Sequence, residues 1–139
     1  MIAELLRLPA RKAHQALHRF ATLKSMSESL PVIALVYKLY KQVVELNDKL
    51  PKTQRYGIGV SLENSTLALM EQLIMAKNAP KSMKASYLIR AVSQQEIATM
   101  KLRLLLELKI ANETKVFQAQ SNLRDIGRMT GGWLKSVNN

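Results

Sequence analysis

The sequence predicts an all-α protein, an antiparallel up-down-up-down four-helix bundle, and three observations carry that reading. Apolar residues recur at helical spacing through most of the chain. Leu, Ala, Lys, Gln and Met are abundant while aromatics make up only 5%, a composition that favours helix over sheet. The breaks at 51–53, 79–81 and 112–114 are short, and short connections join antiparallel neighbours.

The first helix follows Pro31. Val32, Val36, Leu39, Val43, Leu46 and Leu50 fall at 4-3-4-3-4 spacing, the seam of a packed helix. Pro51 ends it, because the residue before a proline is pushed out of the helical region. Thr53 reads as the N-cap of a second helix running to about Asn78. That helix has two apolar stripes: Ile58, Leu62, Leu69, Leu73 and Ala76 on one side, Val60, Leu67, Met70 and Ile74 on another. The third helix, from Lys81 to Ala111, turns Leu88, Val92, Leu102, Leu106 and Ile110 inward, with Ile97, Met100, Leu104 and Leu108 about half a turn away. Asn112 or Thr114 caps the fourth, whose inner line is Val116, Ala119, Leu123, Ile126, Thr130 and Leu134. Gly127 lies on that inner side, where close approach of another helix offsets the cost of a helical glycine, about 1 kcal/mol.

Residues 1–29 read as a basic N-terminal extension and 30–139 as the bundle domain. Within residues 1–27, Arg7, Arg11, Lys12, Arg19 and Lys24 stand against Glu4, and Ser25 to Ser29 looks like a linker. The extension is expected to be mobile or an artefact of start assignment, with Met26 as an alternative start. Its apolar runs are too short for a signal-peptide core.

The net charge of +11 suits a polyanionic partner, nucleic acid first and an anionic membrane surface second. No apolar run approaches the ~18 residues of a membrane span. The absence of cysteine removes disulfides and thiolate chemistry and fits a reducing cytoplasm. His14 and His18 stand four apart without a third ligand nearby, a poor metal site. No phosphate-binding loop, nucleophile elbow or Ser/His/Asp set occurs, so no catalytic residue, metal or cofactor is assigned and an enzyme is not expected.

The candidate nucleic-acid contacts are cationic. Arg124, Arg128 and Lys135 share a face of the last helix beside Gly131. Lys77, Lys81 and Lys84 crowd one junction, Lys49, Lys52 and Arg55 another, and Arg90 and Lys101 are expected on the outward side of the third helix. Such a surface follows a phosphate backbone without reading bases. Few aromatics are expected at the surface, which argues against stacking of single strands. The outward apolar residues Val60, Leu67, Ile74, Ile97, Met100, Leu104 and Leu108 predict an oligomer interface, since long apolar patches are rarely left to water. Glu63, within a second-helix stripe, is expected to pair with Arg55 or Arg103.

Two segments carry a resemblance. Leu50-Pro51-Lys52-Thr53-Gln54-Arg55-Tyr56-x-Ile58-Gly59, followed by Leu62-Glu63-Asn64 and Leu69-x-x-Leu73-Ile74-x-Ala76, and Ile126-Gly127-Arg128-Met129-x-Gly131-Gly132-Trp133-Leu134-Lys135 resemble the accessory variability determinant proteins of diversity-generating retroelements. The resemblance covers about Leu30 to Ser136. It implies a homopentameric barrel that binds template-repeat RNA, its cDNA or DNA, and the element's reverse transcriptase, in support of mutagenic cDNA synthesis and retrohoming. The Pro-Lys-x-x-Arg-Tyr-Gly part also resembles four-helix proteins encoded in ribosomal RNA intervening sequences, which leaves a basic oligomeric scaffold as the alternative. A membrane-surface protein working through residues 1–24 is a third reading. Residues 1–27 have no counterpart in the family pattern, Thr130 stands where an apolar residue is expected, and Ser61 and Ser65 lighten the second helix.

Overall fold

The computed structural model describes the backbone of residues 9–139, and side chains for 9–17 and 31–139. Every regular element among the described residues is helical: α1 spans Ala10–Asp48, α2 is the single turn Lys52–Gln54, a π turn Arg55–Gly59 carries it into α3 Val60–Asn78, and α4 Lys81–Glu107 and α5 Glu113–Asn138 complete the chain. α1 packs on α3 and α5, α3 on α4, and α4 on α5, so four long helices close around one core.

The six seam residues Val32, Val36, Leu39, Val43, Leu46 and Leu50 are all buried. They meet Leu62, Leu69, Leu73 and Ala76 of α3, and Val116, Ala119, Leu123 and Ile126 of α5. Thr130 is fully buried too, and its hydroxyl donates to the Ile126 carbonyl at 2.7 Å. A polar residue is tolerated on this inner line because its one donor is satisfied within the helix.

Several boundaries differ from those read in the sequence. α1 does not begin after Pro31 but at Ala10, and it runs through the serine-rich stretch read as a linker. Between Ala10 and Leu30 there is neither glycine nor proline, so Pro31 itself is the only interruption. A proline inside a helix removes one hydrogen bond, at about 3 kcal/mol, without forbidding the helix. Thr53 is not a cap: the helix starts at Lys52, and Pro51, at φ −53°, holds the N-cap position with no side-chain bond.

α4 stops at Glu107 instead of Ala111. Lys109 takes φ 55°, its N–H bonds to the Leu106 carbonyl, and the Ile110 N–H bonds to Leu105. This double closure by a left-handed residue is a Schellman turn, with lysine where glycine is usual. Asn112 is the cap of α5, its side chain accepting from the Lys115 N–H at 3.1 Å.

The inner face of α4 is rotated from the expected one. Leu88, Ala91, Ala98, Leu102 and Leu105 are buried, whereas Val92, Leu106 and Ile110 are half-buried. Alanines at 91 and 98 let α4 approach its neighbours, and a pattern drawn from bulky residues alone gives them no weight. In α5 it is Trp133 and not Leu134 that is buried, with Leu134 packed at the margin.

Candidate nucleic-acid interface

The motif Leu50 to Gly59 is a junction before it is a surface. Asn47, 3% exposed, donates from Nδ2 to the Gly59 carbonyl at 2.7 Å. A Cβ on Gly59 would stand 3.2 Å from Asn47 Cγ, so glycine admits the amide at this spacing. The Arg55 guanidinium donates to the carbonyls of Asp48 and Leu50, at 3.1 and 3.3 Å. Those oxygens belong to the end of α1, where helical carbonyls lack partners and a cation suits the helix dipole.

Lys84 does the same for α3. Its Nζ donates to the carbonyls of Ala76 at 2.8 Å and Lys77 at 3.1 Å. Lys101 reaches across to α3 as well, donating to the Ser61 carbonyl at 3.1 Å and the Ser65 hydroxyl at 2.6 Å. It therefore faces α3 and not the outward side. Ser61 and Ser65, which lighten the α3 face, are the acceptors that hold it. Partial burial pushes the pKa of both lysines down.

The remaining candidates point to solvent. Lys52, Lys81, Arg90, Arg124, Arg128 and Lys135 are exposed and Lys77 is half-buried. Arg128 pairs with Asp125 at 3.4 Å, the one ion pair among the described residues, and the Arg90 guanidinium lies 5.9 Å from the Tyr87 ring centre. On α5 the row of Arg124, Arg128 and Lys135 runs beside Gly131 and Gly132, where an added Cβ would meet nothing within 4 Å. At Gly127 it would stand 2.8 Å from Gln95 Nε2, so this glycine serves helix contact.

Two expectations change. Glu63 forms no ion pair among the described residues; it is half-buried, and Arg55 is turned to backbone carbonyls instead. Surface aromatics are not scarce: Tyr37, Tyr56 and Phe117 are all more than half exposed. His18 and Phe20 lie outside the described side chains, and among the described residues no three His, Asp or Glu side chains gather as a metal site.

All seven outward apolar residues, Val60, Leu67, Ile74, Ile97, Met100, Leu104 and Leu108, are exposed, Met100 most of all at 70%. Between them and the π turn is a groove of about 590 Å³ lined by Ile58, Ile97, Met100, Lys101, Arg103, Leu104 and Glu107. Neither the π turn nor the groove it borders is legible in the sequence. Their only signal is the pair of glycines two apart in an otherwise helical pattern.

No described helix is long and apolar enough to cross a membrane. None of the curated proteins matches the chain. A family model described as bAvd-like matches residues 31–137, which takes in all of α2 to α4, the seam of α1 and nearly all of α5. The chain thus belongs to the bAvd-like family of accessory variability determinant proteins.

Proposed function

We propose that this protein is a non-enzymatic accessory protein of a diversity-generating retroelement, which binds nucleic acid and the element's reverse transcriptase and supports mutagenic cDNA synthesis and retrohoming in the cytoplasm. The match over residues 31–137 carries the reading. The net charge of +11 and the exposed cations of α4 and α5 support a phosphate backbone as ligand. An up-down-up-down course is supported at α3 and α4, where Lys84 meets Ala76 while Lys101 meets Ser61.

The apolar faces of α3 and α4 support assembly, as a pentamer on the family pattern. Leu67→Glu with Leu104→Glu then yields a folded monomer in light scattering, while an unchanged mass removes these faces from the interface. For nucleic acid, the test is fluorescence anisotropy with labelled RNA and duplex DNA from about 50 to 300 mM salt. Log affinity falls linearly with log salt, and Arg124→Glu with Lys81→Glu lowers the slope by about one unit per lost contact. Flat, negligible binding at low salt would sink the nucleic-acid reading.

The alternative is a basic scaffold of the ribosomal RNA intervening-sequence protein type, without specific nucleic-acid function. One observation favours it: Arg55, Lys84 and Lys101 are engaged by the protein's own oxygens. It predicts an intact oligomer with no affinity for RNA or DNA at about 150 mM salt.

A further inference from the structure

Among the described residues, long acid-free stretches of α1, of the α3–α4 hairpin and of α5 lie toward one end of the molecule. No Asp or Glu lies in residues 5–27, 72–95 or 126–139. These segments hold five, four and two basic residues, which together make up the whole net charge of +11, and the remainder holds ten of each sign. Another acid-free stretch, 49–62 with Lys49, Lys52 and Arg55, is flanked by Asp48 and Glu63 and lies at the other end of the bundle.

Hydrogen bonds fix where those stretches lie. Lys84 meets Ala76 and Lys77 across the α3–α4 turn, while Lys101 meets Ser61 and Ser65 far from it. Residues 72–95 thus form that turn and the helix ends on either side of it. Gln95 donates to the Leu123 carbonyl and stands against Gly127, so in the up-down-up-down arrangement the acid-free end of α5 continues toward the same turn. Asn122 meets Gln42, and Asn47 meets Gly59, which sends the upstream part of α1 to that end as well. α1 has 39 residues against 26 in α5. At about 1.5 Å per residue its first turns outrun the other helices by roughly 20 Å, carrying the exposed Arg11 and Lys12 with them.

The opposite end is mixed, with Lys49, Lys52, Arg55, Lys109 and Lys115 interspersed among Asp48, Glu107 and Glu113. The molecule is electrically polar along its long axis. We infer that the pole made by the α3–α4 turn, the C-terminal half of α5 and the first turns of α1 is the surface that takes an RNA or DNA backbone; this rests on the nucleic-acid reading above. With a Debye length of about 8 Å in physiological salt, the cations of the turn and of α5 act together, while Arg11 and Lys12, roughly 20 Å on, are met by a further stretch of the same backbone. The first turns of α1 lie outside the family-matched residues 31–137, so this chain lengthens its cationic pole beyond what the family pattern covers.

The test uses the full chain in two charge-matched variants. Lys81→Glu with Lys135→Glu alters the pole, and Lys109→Glu with Lys115→Glu alters the opposite end, each removing four units of charge. Circular dichroism first establishes that both are folded. Against a labelled RNA hairpin at about 150 mM salt, the pole variant loses about tenfold or more in affinity and about two units of salt slope, while the other stays within about twofold of the parent. Equal losses in the two variants, or the greater loss at the opposite end, overturn the inference and leave nucleic-acid binding standing. A parent that binds no RNA even at about 50 mM salt removes the nucleic-acid reading itself. A parent that binds phosphatidylserine vesicles and not RNA overturns the assignment of the pole to nucleic acid.

Discussion

Lys84 Nζ lies 2.8 Å from the carbonyl oxygen of Ala76, so a side chain of α4 closes the last turn of α3. With Lys77 also accepting, one ammonium meets two carbonyls of the last turn, of which Ala76 takes only a long bond of 3.4 Å from the Ala79 N–H. Lys84→Met keeps the aliphatic stem and removes the donor. It is expected to lower stability by about 1–2 kcal/mol, toward the lower end because the site is open to water. Urea denaturation with an unchanged midpoint would show that water replaces the lysine at no cost.

The same lysine and Lys101 give stability a pH dependence of definite sign. Desolvation holds both below the ordinary lysine value of 10.5. Below 10.5 the unfolded chain then binds more protons than the folded one, so these groups make stability rise as pH rises through the depressed values. The double variant Lys84→Met, Lys101→Met lacks that rise. The gap in Tm between parent and variant should widen from about pH 8 to about pH 10, and a gap that narrows contradicts the shifts.

Asn47 binds the Gly59 carbonyl through its amide nitrogen, and its Oδ1 is buried without a partner. Asn47→Ala should cost about 1–3 kcal/mol. Asn47→Asp should cost more, since a buried carboxylate would face a carbonyl oxygen. If Asp is tolerated better than Ala, the amide is not the donor.

Gly127 and Gln95 should be coupled. Gly127→Ala gains up to about 1 kcal/mol of helix propensity but drives its Cβ onto Gln95, whose amide then gives up the Leu123 carbonyl. In the parent the substitution is expected to be neutral or destabilising. In a Gln95→Ala background it should stabilise by about 0.5–1 kcal/mol. Additive effects in this cycle would mean that the two residues do not touch.

Lys109 holds φ 55° without being glycine. Lys109→Gly should raise stability by about 1 kcal/mol by removing the steric cost of the left-handed region, partly offset by chain entropy. A lower Tm would show that the turn relies on the lysine side chain.

The parts of this fold legible in the sequence are those written in large apolar residues. The seam from Val32 to Leu50 and the outward stripes of α3 and α4 declare their faces through bulky side chains at helical spacing. Ala91 and Ala98 do not, because alanine is at home inside and outside a helix alike. Nor can a positive charge announce its destination: Arg55, Lys84 and Lys101 belong to the same basic surface as Lys81 or Arg124 until their partners are seen. Those partners are backbone oxygens seven, eight and forty residues away, and carbonyls leave no mark in a sequence. Lys109 hides the end of α4 because a Schellman turn is ordinarily signalled by glycine.

The π turn at Arg55–Gly59 acts as a phase shifter. A π turn accommodates one residue more than the α-helix on either side of it, and each residue of an α-helix turns the chain by about 100°. The helical segments on its two sides are therefore set at different azimuths. Removing one residue there, Gly57 being the one with open space around it, would relax the turn into plain α-helix. Arg55 would then swing about 100° away from the end of α1 while Leu62, Leu69 and Leu73 stayed in the core. One inserted residue lets the same continuous rod aim a cap at one helix and a hydrophobic face at the others.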